Sequence, residues 1–109
     1  MASIDNILKD AGKQIAELGE KLFKQFTKQA VADGKAFLNE ARDDLERWVG
    51  ELERNEIDKS DFESLVRGQK DLAQMKALKQ AGLAQVSIDT FTNGVLDIVI
   101  NAAFAAIKL

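Results

Sequence analysis

Apolar and small residues recur every eleven positions along almost the whole chain, and this regularity limits the fold more than any other feature. Ile4, Ile15, Phe26, Phe37 and Trp48 form one series; Leu8, Gly19, Ala30, Ala41 and Leu52 form a second. Eleven residues make three turns of helix at 3.67 residues per turn, close to the natural 3.6. The second half continues the habit through Phe62, Ala73, Ala84, Val95 and Ala106, and through Val66, Ala77, Ile88 and Val99. A third series, Gln69, Gln80, Phe91 and Ala102, is polar only at its two glutamines. No amphipathic strand sustains such a register, whose period would be two. Proline is absent, so no position is barred from a helix interior. The expectation is an all-α domain spanning residues 1–109.

The stripe breaks once, at residues 54–60. Ser60-Asp61-Phe62-Glu63 then has the pattern of a capping box, with acidic residues suited to the positive end of a helix. Two helices follow, about 4–54 and 61–108, each roughly 70–75 Å long at 1.5 Å per residue. Folded at the break, they make a long antiparallel hairpin, and two hairpins would pair into a four-helix assembly. The alternative is a compact four-helix bundle, broken near Gly34 and Gly82. Gly82 there serves as the left-handed C′ residue of a Schellman motif, with Leu83 meeting Leu78. Asn93-Gly94 offers a rival β-hairpin turn. Against it, Ile88, Phe91, Val95, Ile98, Ala102, Ala105 and Leu109 keep a helical spacing through the same stretch.

The C-terminal stretch is apolar around most of its circumference. Thr90, Asn93, Asp97, Asn101 and Lys108 make one narrow polar strip. A single partner helix cannot cover the remainder. The expectation is therefore self-association, a dimer first, through Ile88, Phe91, Val95, Ile98, Val99, Ala102, Phe104 and Leu109. A membrane surface is the alternative cover, although residues 89–109 carry two Asp and one Lys rather than a row of cations. The stretch is too short for a spanning helix of ~20 apolar residues.

Charge is uneven. Residues 36–63 hold ten acidic and four basic side chains, net −6, within a chain of net −3. An acidic middle argues against nucleic acid as partner. It suggests a protein partner at the turn end, met by Glu46, Glu51, Glu53, Glu56 and Asp58.

Chemistry has few candidates. The chain has no Cys and no His, hence neither a thiolate site nor the commonest general base. Gly12-Lys13 and Gly34-Lys35 lack the Ser or Thr and the second Gly of a phosphate-binding loop. Residues 50–61 lack the first three carboxylate ligands of an EF-hand. Glu40, Asp43, Asp44, Glu46, Glu51 and Glu53 interleave with Arg42, Arg47 and Arg54 as a surface charge lattice rather than a metal site. No cofactor, metal site or enzyme activity is expected. No signal peptide is visible at the N-terminus, and a cytoplasmic setting is expected.

Trp48-Val49-Gly50 resembles the Trp-x-Gly signature of the WxG family, small helical hairpins exported without a signal peptide by type VII-like systems. The resemblance covers three residues and implies an exported helical hairpin. The sequence departs from that family in two ways. Its Trp-x-Gly precedes a further helical turn, and without Tyr it lacks the family's C-terminal Tyr-x-x-x-Asp/Glu export signal.

Overall fold

Ser3 caps the first helix, its hydroxyl accepting from the Asn6 N–H at 3.4 Å. In the computed structural model, which describes residues 3–108, five α-helices follow: α1 Ile4–Leu22, α2 Thr27–Glu53, α3 Lys59–Arg67, α4 Lys76–Gln80 and α5 Gln85–Ile107. A 3₁₀ stretch, Gly68–Leu72, joins α3 to the loop before α4. The chain is all-α, and no strand occurs among the described residues. Asn93-Gly94 lies inside α5, which excludes the β-hairpin.

The long two-helix hairpin is not what forms. Each expected helix is broken, and the longest dimension is 43 Å rather than 70. The radius of gyration is 13.7 Å, close to the ~13 Å of a compact chain this size.

The first break falls at Phe23–Phe26, not at Gly34. The Phe23 N–H still donates to the Gly19 carbonyl at 2.8 Å. The Phe26 N–H then turns back to the Phe23 carbonyl at 2.8 Å, and the Thr27 hydroxyl donates to the same carbonyl at 3.1 Å. This reversal carries Phe23 into the core, edge-on against Phe91 with ring centroids 5.6 Å apart. α1 and α2 then pack antiparallel: Gly12 approaches Leu38, Ile15 lies against Gly34, and Gly19 against Ala30. α1 also packs on α5, where Leu18 meets Gly94 and Gly19 approaches Phe91. Arg67 on α3 pairs with Asp97 on α5 at 2.7 Å, and Phe62 packs on Phe104.

Gly34, expected at a break, sits buried within α2 as a packing residue. A Cβ there would stand 2.5 Å from Cγ2 of Ile15, a stiff β-branched side chain. Alanine gains about 1 kcal/mol of helix propensity but overpacks the α1–α2 seam at a cost of about 1–3 kcal/mol. The expected result for Gly34→Ala is a net loss, read as a lower urea midpoint at an unchanged slope. A raised midpoint would show that the seam yields.

Gly82 does break the second helix. Its φ is +86°, its N–H donates to the Lys79 carbonyl at 3.0 Å, and the Leu83 N–H donates to the Leu78 carbonyl at 3.3 Å. These are the two hydrogen bonds of the Schellman motif. The same pair ends α2, with Asn55 at φ 59° as the left-handed residue. The cap of α3 lies two residues earlier than expected. The Asp61 N–H donates to Asp58 and the Asp58 N–H to Asp61, so the box is Asp58–Asp61 rather than Ser60–Glu63.

Candidate functional site

The apolar face of α5 is the core of this single chain. Ile88, Phe91, Val95, Val99 and Ala102 are all at most 4% exposed, against α1 and the α3–α4 region. Ile98 and Phe104 are half-buried against that core, and Leu109 lies outside the described residues. The expectation that these residues form a free self-association face is corrected accordingly: breaking the chain into five helices supplies the neighbours that one long partner helix lacked. α5 is long and apolar enough to cross a membrane by length and composition alone, yet it lies in the core. The expected polar strip holds, with Thr90, Asn93, Asp97, Asn101 and Lys108 all exposed.

The acidic end is partly committed to structure. Arg54 donates through Nε to Glu56 at 2.7 Å, and this guanidinium holds the Glu56 carboxyl below the usual range. Asp58 caps α3. Glu46 is exposed, while Glu51 and Glu53 are half-buried. Trp48 is buried and Gly50 lies within the last turn of α2, so the Trp-x-Gly triplet precedes the turn rather than forming it.

A buried acid does a job the sequence did not disclose. Asp33, 8% exposed on α2, accepts the Ala77 N–H at Oδ1 (2.9 Å) and the Leu78 N–H at Oδ2 (2.8 Å). These are orphan donors at the start of α4. Met75, the residue at the N-cap position, has no carboxylate or hydroxyl and stands in the left-handed region at φ 51°. The cap therefore comes from another helix, 44 and 45 residues away in sequence.

A surface groove of about 570 Å³ lies between α1 and α2. Its lining alternates in character. Leu8, Ala16 and Val31 are half-buried and Leu38 is buried beneath them. Lys9 and Lys13, one turn apart on α1, stand on one wall and Lys35 of α2 on the other, all exposed. Among the described residues, none of these three lysines is in a salt bridge. Arg42 pairs with Asp5 at 2.6 Å at one end, and the contact raises its already high pKa. The groove therefore presents three uncompensated cations above an apolar floor. The sequence carried one signal of it, two lysines spaced by four on α1. Their pairing with Lys35 required knowing where the chain reverses.

No group of three or more acidic side chains suited to a metal ion occurs among the described residues. Comparison with known protein families, with curated proteins and with solved structures finds no match.

Proposed function

We propose that this chain is a non-enzymatic helical adaptor that binds a protein partner, with the cytoplasm as its setting. The observation that carries the reading is the α1–α2 groove, where half-buried Leu8 and Val31 lie between unpaired Lys9, Lys13 and Lys35. An apolar floor flanked by free charge gains from a partner that supplies both apolar area and the opposite charge. The acidic end is the second reading, supported by exposed Glu46 within a net-acidic stretch.

Self-association through the α5 face does not belong to this reading, because that face is spent on the core. Light scattering on a sizing column is expected to give the mass of one 12.0 kDa chain. A stable dimer would show that another surface is used and would redirect the search for the partner.

The adaptor reading is tested with a photo-crosslinking residue at position 35, on the groove rim, and a second at position 46. Crosslinking in the cell to a protein from position 35, and not from 46, is the expected result. Crosslinking from 46 alone would move the site to the acidic end. No protein crosslinked from either position would overturn the adaptor.

A further inference from the structure

The groove is open along its length rather than closed over a small molecule. Its α1 wall runs from Asp5 to Ala16, about 16 Å at 1.5 Å per residue, or three turns of helix. A trough of that length between two antiparallel helices has the shape that accepts a third helix. Its floor asks for apolar side chains at i, i+3 or i+4, and i+7. Its walls ask for negative charge on both flanks. Lys9 and Lys13 are one turn apart, so acids one turn apart on the incoming helix match them. With Arg42 neutralised by Asp5, the cations left to be met are the three lysines.

A second copy of this chain cannot supply such a helix. Its acid-rich stretch, residues 36–63, has its large apolar side chains turned inward, from Phe37 and Leu38 through Trp48 to Phe62. Among the described residues the exposed large hydrophobics are Leu22 and Val86, and neither lies in that stretch. A nucleic-acid strand would satisfy the lysines but leave the apolar floor unused.

We propose that the α1–α2 groove receives an acidic amphipathic helix of a partner protein, about three turns long. The proposal rests on the adaptor reading and specifies its partner. Lys9, Lys13 and Lys35 set charge and direction, and Leu8, Val31 and Leu38 receive the apolar ridge.

The test uses the full chain and a fluorescent synthetic helical peptide with Leu on one face and Glu on its flanks. A control peptide carries Lys in place of Glu. Binding is read by anisotropy, alongside vesicles of phosphatidylcholine with phosphatidylglycerol. The Glu peptide is expected to bind at least about tenfold tighter than the Lys peptide. The double change Lys9→Glu with Lys13→Glu, and separately Lys35→Glu, is expected to weaken it about tenfold or more. Lys79→Glu, outside the groove, is expected to leave binding unchanged. Val31→Asp removes floor contact without adding a cation and is expected to weaken binding as well. All variants lie on exposed or half-buried positions, and their urea midpoints confirm folding.

Equal binding of the two peptides, or equal effects of the groove and Lys79 reversals, would overturn the proposal. So would vesicle binding lost on the groove reversals with no peptide bound, which would assign the lysines to an anionic membrane. A protein crosslinked from position 35 whose binding survives the lysine reversals overturns the acidic helix alone. Absence of crosslinking from either position overturns the adaptor itself.

Discussion

Alanine in place of Asp33 is expected to destabilise the fold by about 2–4 kcal/mol. The Ala77 and Leu78 N–H groups would lose the carboxylate that accepts them, in a site where Asp33 is 8% exposed. Loss of an N-terminal cap costs about 0.5–2 kcal/mol, and a buried donor left unpaired costs about 1–3 kcal/mol. At about 4–8 °C per kcal/mol for a small domain, the thermal midpoint falls by roughly 8–32 °C. Asparagine keeps one acceptor oxygen and is expected to lose about half as much. Hydrogen exchange adds a local reading: Ala77 and Leu78 should exchange faster in the alanine variant than their neighbours in α5. A change below about 0.5 kcal/mol would mean that α4 finds other acceptors, since surface substitutions commonly fall in that range.

A second large loss is expected for Phe91→Ala, about 3–5 kcal/mol. The ring is fully buried, edge-on to Phe23 and within reach of Gly19. Its removal opens a cavity where α1 crosses α5. This substitution also separates two accounts of the apolar face. If the face belongs to one chain's core, the loss is independent of protein concentration and the solution mass does not change. If it were an interface between copies, the variant would dissociate and its stability would vary with concentration. Chemical denaturation at two concentrations an order of magnitude apart decides the matter.

Much of the secondary structure could be read from residue order. The two eleven-residue series of the first half placed ten residues on one face; eight are buried and Leu8 and Phe26 are half-buried, whereas Ala84 and Ala106 of the second half are exposed. Gly82 as a left-handed helix end and the exposed strip on α5 were equally legible. Each depends on neighbours within a few turns. The break at Phe23–Phe26 was not legible, because it contains neither Gly nor Pro and lies in an unbroken register. The helix ends there because Phe23 gains a place against Phe91, 68 positions later in the chain.

The candidate groove was hidden for a related reason. In the sequence Lys13 and Lys35 each follow a glycine, 22 positions apart, and the strongest local charge is the acidic stretch at residues 36–63. Only the reversal at residues 23–26 brings Lys35 across the groove from Lys9 and Lys13 and puts Val31 and Leu8 in one lining.

By itself, the sequence determined that this protein is helical, that Gly82 ends a helix and that most of the first half's apolar series turns inward, since periodicity and helix ends of this kind are settled by bonds and contacts within a few turns. The tertiary structure decided how many helices there are, that Gly34 packs while Gly82 turns, that Asp33 caps α4, and that α5 is enclosed by its own chain. Those outcomes depend on contacts between distant residues, whose burial outweighs the small local preference for continuing a helix.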